Sequence, residues 1–239
     1  MNLKDNIVKN ILLIGGSYGI GLALAKELQF ENNVYIASRS NENLADVKVT
    51  HIAFDATTDT IDTSKLPTVI DGLVYCPGSI NLRPFKGLKP EAFETDLQIN
   101  FLSLVKVIQS VLPNLLASEQ ASIVAFSSVA ATMGMPFHTS VAASKGAIEG
   151  FAKALAAEYA PKIRVNVIAP SLTDTPLADK FLNNETKQEK SAERNPLKRF
   201  GKPEDSAQMA TFLLSDKSSW ISGQIFHVDG GMSTLLVNG

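Results

Sequence analysis

ILLIGGSYGIG, residues 11–21, is the stretch that decides the fold of this chain. Its apolar beginning predicts a short buried strand, and residues 22–28, which follow it, have the apolar spacing of an amphipathic helix. Gly15, Gly19 and Gly21 lie at the turn between the two. Glycine permits a tight reversal there, lets the backbone approach a phosphate closely, and lets the helix begin against the strand.

This glycine turn predicts a dinucleotide site. Free N–H groups at the N-terminus of the following helix, with the positive end of its dipole, would hold a pyrophosphate. An ordinary glycine turn also fits Gly-x-x-x-Gly-x-Gly, and the position between a strand and a helix is what favours a nucleotide. The residues expected to contact the cofactor here are Gly15, Ser17, Tyr18, Gly19, Ile20 and Gly21.

Strand-like and helical patterns alternate along the rest of the chain. Further strands are predicted at residues 33–38, 49–54, 72–76, 121–126, 163–168 and 225–228. Helices are predicted from Pro90 to about Ala117, and over 139–159 and 203–214. The stretch between Asp55 and Asp71 has no helical period, so its crossover is expected to be a turn. This alternation predicts an α/β protein with a parallel sheet covered on both faces.

Composition sets the outer limits of function. The 239 residues, of which 45% are hydrophobic, suffice for one domain spanning residues 1–239 with a sizeable core. A net charge of −2 gives no basic patch for nucleic acid or an anionic membrane. The single cysteine, Cys76, can form no internal disulfide and indicates a reducing compartment. No cluster of His, Cys or carboxylate residues has metal-ligand spacing, so we expect no metal.

The sequence shows no targeting or membrane segment. Residues 1–9 lack the apolar core of a signal peptide, and no run of about eighteen uncharged apolar residues indicates a membrane span. We therefore expect a cytoplasmic protein.

The ends of the second and third strands bear on the choice of cofactor. A carboxylate after the second strand would bind the 2′-hydroxyl of NAD(H), whereas an arginine favours the 2′-phosphate of NADP(H). Here Arg39 follows that strand, and the next carboxylate is Glu42. The sequence therefore favours NADP(H); NAD(H) stays open, because Arg39 is also compatible with a solvated loop. Asp55, after the third strand, either accepts from the adenine amino group or caps the next turn.

With these motifs together, the chain resembles the short-chain dehydrogenases/reductases, and among them the 3-oxoacyl-carrier-protein reductases. The resemblance covers nearly the whole chain. It rests on the glycine turn, Asp55, Asn100, Ser128, Lys145, Asn166, Pro170, the 174–176 run Asp-Thr-Pro and the segment 196–231. It implies a single Rossmann domain, a doubly wound seven-stranded parallel sheet with helices on both faces, usually assembled as a homotetramer or dimer through its long helices.

The resemblance also implies roles for particular residues. The cofactor would contact Gly78, Pro170 and Thr175 in addition to the glycine turn, and Lys145 would bind the nicotinamide ribose. Ser128 would orient the oxygen of a small-molecule substrate, and Asn100, which interrupts an apolar helix face, would hold a water for proton relay. The implied reaction is hydride transfer to a carbonyl, whose alkoxide product needs a proton as it forms.

The chain departs from the family at the residue that supplies this proton. The family has a tyrosine four residues before the lysine, and Val141 occupies that position here. Ser128 lies thirteen residues before Val141, as the family's serine does before its tyrosine, so the register holds. A positioned general acid is worth about a hundred- to ten-thousand-fold in rate. The family's Asn-Asn-Ala-Gly is also changed, to the Tyr-Cys-Pro-Gly of residues 75–78, and Ile14 replaces a threonine.

Three explanations of Val141 stay open. His138, seven residues before Lys145, has a spacing similar to that of the tyrosine in enoyl-carrier-protein reductases and could be the acid, or it is an ordinary exposed histidine. The chain could bind the dinucleotide without catalysis, as a sensor or inactive subunit. The reaction could instead be reduction of a conjugated double bond, where a thioester stabilises the enolate. The oxidoreductase hypothesis is favoured because Asn100, Ser128 and Lys145 are all present.

A polar segment follows the sixth predicted strand. Residues 174–202 are sparsely apolar, and weakly packed segments of this kind commonly form lids. We expect a mobile lid that closes over bound substrate.

Overall fold

The computed structural model describes residues 8–237, and seven strands among them form one parallel sheet. Residues 1–7, which hold most of the stretch without a signal-peptide core, and residues 238–239 lie outside the described part. The sheet order is β3-β2-β1-β4-β5-β6-β7. The strands are β1 Lys9–Ile14, β2 Asn32–Ser38, β3 Thr50–Ala53, β4 Gly72–Tyr75, β5 Ala121–Phe126, β6 Ile163–Pro170 and β7 Ile225–Val228. The predicted doubly wound parallel sheet is confirmed.

Helices cover both faces of this sheet. They are α1 Gly19–Leu28, α2 Pro90–Leu97, α3 Ser103–Leu116, α4 Thr139–Tyr159, α5 Asp179–Leu182, α6 Glu185–Glu193 and α7 Pro203–Leu214. Leu12 and Ile14 of β1 belong to the core cluster under α3 and α4, whereas Ile11 and Leu13 belong to the cluster under α1 and α7. Because side chains alternate along a strand, a central parallel strand must be apolar at every position, which is the pattern of residues 11–14.

The sheet order reverses between β1 and β4, and this places a crevice at their carboxyl ends. The chain that leaves β1 stays tied to the sheet there: Gly15 N–H donates to the Ala37 carbonyl at 2.9 Å. Cys76 N–H, just after β4, donates to the Ile14 carbonyl at 2.9 Å. The glycine turn therefore faces the residues that follow β4.

The long helix predicted from Pro90 is continuous to Leu116 but contains a π turn at Gln98–Leu102 between α2 and α3. Length and composition alone would let this helix cross a membrane, although only 39% of its most apolar window is buried. Its apolar stripe packs on the sheet in the core cluster, as in the core helix of a globular protein. The buried apolar residues of α3 are Leu104, Val107, Ile108, Val111 and Leu115.

Two further segments qualify the sequence-based expectations. Between Asp55 and Asp71 the crossover is reduced to bends and a single 3₁₀ turn, Thr63–Lys65, as predicted. The polar segment 174–202, by contrast, contains helices α5 and α6, which the sequence pattern did not predict. Helix α6 buries no residue, so it has no apolar stripe for a pattern to reveal.

Candidate active site

One cavity of about 740 Å³ lies at the carboxyl ends of the strands. Its volume is in the usual range for small-molecule and cofactor sites. All of the predicted cofactor residues line it: Gly15, Ser17, Tyr18, Gly19, Ile20, Gly21, Arg39, Asp55, Gly78, Lys145, Pro170 and Thr175. Ser128 and His138 line it too, whereas Asn100 does not.

The glycine turn is a cradle that side chains would fill. Gly15 and Gly19 have φ values of +78° and +51°, in the left-handed region that favours glycine. A Cβ on Gly21 would lie 2.5 Å from the Gly15 carbonyl oxygen, so only glycine lets α1 begin this close to β1. The backbone of this turn therefore requires glycine at these three positions.

The N-terminus of α1 has free N–H donors that a diphosphate would suit. The residue before it, Tyr18, is extended (φ −144°, ψ 162°), and no side chain caps the helix. Gly19, Ile20 and Gly21 of the first turn line the cavity. Uncapped N–H groups at the positive end of a helix dipole suit a phosphate. These residues fit the diphosphate of a dinucleotide.

Arg39 and Asp55 are the groups expected near the adenosine. Arg39 is exposed and lines the cavity. Glu42 is engaged elsewhere, because its Oε2 accepts from the Tyr18 hydroxyl at 3.3 Å. Asp55 caps its turn by accepting from Thr57 N–H at 2.9 Å and from Thr57 Oγ1 at 2.6 Å. These hydrogen bonds from Thr57 lower the pKa of Asp55.

Ser128, Val141 and Lys145 line the cavity together, and we call the part of the cavity at these residues the reaction end, because the family resemblance implies the reacting atoms there. Ser128 Oγ accepts from Ala130 N–H at 3.2 Å. Lys145 is only 7% exposed, and its Nζ donates to the Phe126 carbonyl at 2.8 Å. Burial lowers the pKa of Lys145 to about 8, although Cys76 and, less strongly, the charge of Asp96 act in the opposite direction. Lys145 therefore titrates close to neutral pH.

Asn100 is fully buried in the π turn, behind the wall rather than on it. Its Nδ2 donates to Ser79 Oγ at 2.9 Å and to Ser144 Oγ at 3.0 Å. Its Oδ1 accepts from Ser79 N–H at 3.1 Å. The helix face that Asn100 interrupts thus contains a π turn, in which Ser79 and Ser144 bond the side-chain amide. The role of Asn100 in holding a water for proton relay stays a prediction.

Sequence reasoning missed Ser79 and Asp96. Ser79 lines the cavity, and its Oγ donates to Asp96 Oδ1 at 2.6 Å. Asp96 is 2% exposed, and its Oδ2 has no hydrogen-bond partner among residues 8–237. Asp96 precedes Asn100 by four residues, a spacing that places both on one side of a helix, but no feature of the sequence links either of them to Ser79.

The remaining candidate groups differ in chemistry. His138 is partly buried, and its Nδ1 bonds the Pro136 carbonyl at 2.7 Å. Burial raises the pKa of the Cys76 thiol to about 12, so it is neutral in solution near pH 7. Of the chain's tyrosines, Tyr18 alone lines this cavity, at the glycine turn. Across the described residues, no group of three or more His, Cys, Asp or Glu could hold a metal ion.

Comparison with known sequences identifies relatives. The family model described as enoyl-(acyl carrier protein) reductase matches residues 15–233. The chain is 33% identical to the 3-oxoacyl-[acyl-carrier-protein] reductase of Chlamydia trachomatis, over 94% of this chain and 97% of that protein. It is 38% identical to the Thermotoga maritima reductase of the same name, over 68% of this chain and 66% of that protein's length. It is 31% identical to 2-(S)-hydroxypropyl-CoM dehydrogenase 3 of Xanthobacter autotrophicus, over 97% and 100%.

Solved structures agree with these sequence relatives. Ligand-free aldohexose dehydrogenase of Thermoplasma acidophilum superposes with a TM-score of 0.88 at 26% identity, covering 100% of this chain and 99% of that one. Gluconate 5-dehydrogenase of Burkholderia cenocepacia, in complex with NADP and tartrate, gives a TM-score of 0.86 at 25% identity over 95% and 96%. The chain therefore belongs to the short-chain dehydrogenase/reductase family of oxidoreductases and is similar to its 3-oxoacyl-carrier-protein reductases.

Proposed function

We propose that this protein transfers a hydride between NADP(H) and a carbonyl/alcohol group, or a conjugated double bond, of a small-molecule substrate. The observation that carries the proposal is one cavity lined by the uncapped start of α1, by Ser128 and by Lys145. When bound, the nicotinamide supplies the hydride. The chain supplies phosphate donors, an oxygen-orienting hydroxyl and an ammonium group close to the reacting atoms.

NADP(H) is the cofactor we favour over NAD(H). Arg39 is exposed at the cavity wall, and its guanidinium can bind a 2′-phosphate through two parallel hydrogen bonds. The Burkholderia relative was solved with NADP bound. In the proposed complex, Pro170 and Thr175 line the nicotinamide half and Lys145 binds the ribose.

The walls of the cavity favour a substrate with an apolar portion. Apolar side chains from several elements line the cavity: Ile80, Leu82, Val129, Met135, Leu177, Phe181 and Met232. Leu177 and Phe181 come from the segment 174–202, which we propose closes over substrate as a lid. Amide exchange in this segment should slow when NADPH binds; identical exchange in both states would contradict the lid.

We also propose that the chain assembles as a homotetramer or dimer through its long helices. Helix α4 has small residues at Ala142, Ala143, Gly146, Ala147 and Gly150. A Cβ on Gly146 or Gly150 would meet no atom within 4 Å, so this face is open for a second helix to approach. Sedimentation equilibrium tests the assembly, and a monomer at micromolar concentration would contradict it.

A second function is favoured by one residue, Val141. Without a hydroxyl at this position the chain could bind the dinucleotide as a sensor or inactive subunit. The deciding experiment titrates NADPH fluorescence and then follows NADPH consumption with acetoacetyl-CoA, a 3-oxoacyl thioester, and crotonyl-CoA, an enoyl thioester.

The outcomes of this experiment separate the two functions. No binding at millimolar NADPH would contradict both. Binding without consumption of NADPH would favour the non-catalytic function. Turnover that disappears in Lys145→Ala would establish the oxidoreductase, because that side chain lies at the reaction end of the cavity.

A further inference from the structure

The reaction end of the cavity has few groups able to give up a proton. Val141 has none, and the Cys76 thiol, with a pKa of about 12, is a poor acid near neutral pH. The Nδ1–H of His138 is committed to the Pro136 carbonyl oxygen, which can only accept. Tyr18 is at the other end, in the glycine turn. Among the groups at the reaction end, the Lys145 ammonium is the donor we consider.

The geometry leaves the Lys145 ammonium open to the cavity. An ammonium has three N–H donors, and among the described residues only the Phe126 carbonyl is bonded to Nζ. Gly78 faces it: a Cβ built there would lie 3.3 Å from Nζ. Val141 lies one helical turn before Lys145, on the same face of α4, and its short side chain leaves room where a longer one would stand between substrate and ammonium.

We propose that Lys145 is the proton donor of this enzyme and that Asp96 is a positioning residue that sustains its charge. The inference rests on the proposed function, because it assigns the proton in the same hydride transfer. Lys145 then acts on the substrate oxygen directly, and Val141 is part of that arrangement because it lets the oxygen approach.

The proposed step reduces a carbonyl group, with Lys145 as the acid. The hydride from NADPH, with its electron pair, forms a bond to the carbonyl carbon, and the carbonyl π pair moves to oxygen. An N–H bond of Lys145 breaks as the O–H bond forms, so the carbonyl is reduced to an alcohol and NADPH is oxidised to NADP⁺. Lys145 is left as a neutral amine, and solvent reprotonates it through the open cavity before the next turnover.

Asp96 acts through charge and through a hydrogen-bond chain. Its charge raises the pKa of Lys145, opposing the burial that lowers it. Because the Ser79 hydroxyl donates to Asp96, Ser79 Oγ is left to accept from Asn100 Nδ2. That fixes the amide of Asn100 with Oδ1 toward Gly78, where a Cβ would lie 3.3 Å from both Oδ1 and the Lys145 Nζ.

The other charges around Lys145 do not replace Asp96. The titratable or charged groups near it are Cys76 after β4, Asp96 on α2, Glu149 on α4, and His138 and Arg194 on the cavity wall. Cys76 stays a neutral thiol while Lys145 titrates, because its pKa is about 12. The charge of Asp96 raises the pKa of Lys145, whereas Glu149, whose Oε1 accepts from the Ser127 hydroxyl at 2.7 Å, does not contribute to that shift. Asp96 is therefore the carboxylate whose removal should move the titration of Lys145.

The sign of the pH dependence follows from this assignment. A donor must be protonated, so the rate of acetoacetyl-CoA reduction should be level below a pH of about 8 and fall tenfold per pH unit above it. Asp96→Asn removes the charge that raises the pKa of Lys145, so the alkaline limb should move to lower pH. Glu158→Gln, which removes an exposed carboxylate from the far end of α4, should leave the limb in place.

The test measures the titration and the rate separately. NMR of protein with ¹³C at the lysine ε-carbon, with the Lys145 signal assigned by its loss in Lys145→Arg, should give a Lys145 pKa of about 8 in wild type. The same signal should titrate at lower pH in Asp96→Asn and be unmoved in Glu158→Gln. Lys145→Arg, whose guanidinium does not deprotonate, should still bind NADPH and lose about 10²- to 10⁴-fold in kcat.

The outcomes distinguish a failure of the inference about Lys145 from a failure of the proposed oxidoreductase function. A Lys145 signal that titrates at the ordinary lysine value, or turnover that survives in Lys145→Arg, would overturn the inference and leave the oxidoreductase standing. NADPH binding without reduction of either thioester in wild type would overturn both. Should Lys145→Arg not fold, an alkaline limb of wild type that Asp96→Asn leaves unmoved would overturn the inference by itself.

Discussion

The two ends of the cavity differ in that one is formed by backbone groups and the other by side chains. The end proposed to hold the diphosphate is made of backbone: Gly15, Gly19 and Gly21 form the cradle, and the first turn of α1 would provide the donors. At the reaction end it is made of side chains, with Ser128 following β5 and Lys145 projecting from α4. A backbone site is set by the fold itself. A side-chain site can change its chemistry by one substitution while every strand stays where it is.

The largest expected effect is a loss of NADPH affinity when the glycine turn is changed. In Gly21→Ala the new Cβ would lie 2.5 Å from the Gly15 carbonyl oxygen and 2.9 Å from the Gly16 Cα, so the helix must move away from the turn. NADPH should bind more than a hundredfold more weakly, about 2.7 kcal/mol. Fluorescence titration measures the affinity.

A matched change elsewhere gives the control. Gly87→Ala adds a methyl group outside the cavity lining where no neighbouring atom lies within 4 Å, so NADPH affinity should be unchanged and the free energy of unfolding should rise by about 0.5–1 kcal/mol. NADPH affinity preserved in Gly21→Ala would mean that the nucleotide does not use this turn.

The next effect sharpens the comparison at the reaction end. Val141→Phe and Val141→Tyr place the same ring beside Lys145 and differ only in a hydroxyl. With Lys145 as donor, the phenylalanine ring should block access and lower kcat on acetoacetyl-CoA by about a hundredfold or more, whereas the tyrosine should keep it through its own phenol. Steady-state rates at pH 7 measure both. Equal rates in the two variants would show that no proton passes through this position.

The smallest effect concerns the adenosine. Arg39→Ala should weaken NADPH binding about ten- to a hundredfold, the worth of charged hydrogen bonds to a phosphate, and should leave NADH affinity unchanged. Arg83→Ala, at an exposed cation that does not line the cavity, is the control. A parallel loss of both nucleotides would place Arg39 outside the phosphate site.

The same contrast explains what the sequence could predict. The strands and the glycine turn were predictable because a buried parallel strand is apolar throughout, and because the φ values of Gly15 and Gly19 favour glycine. Both signals are local in the chain. The cavity lining at the strand ends then followed from topology, since parallel strands bring their carboxyl ends together.

The hydrogen bonds around the buried side chain of Asn100 could not be predicted from local signals. Ser79, Asp96 and Ser144 are ordinary polar residues until α2 packs on α4 and brings them to Asn100. Contacts between distant segments leave no period in the sequence. Helix α6 was not predicted for a related reason. None of its residues is buried, so it has no apolar stripe that a sequence pattern could show.

The π turn at Gln98–Leu102 has a consequence for how this protein can vary. A helix advances about 100° per residue, so one additional residue in a turn offsets the two halves by that angle. The half before it aims Asp96 at Ser79, and the half after it keeps the stripe from Leu104 onward on the sheet. If one residue were deleted there, the helix would become regular and its two halves would lose this offset. The protein could then keep either the packing of α3 on the sheet or the hydrogen bond between Ser79 and Asp96, but not both.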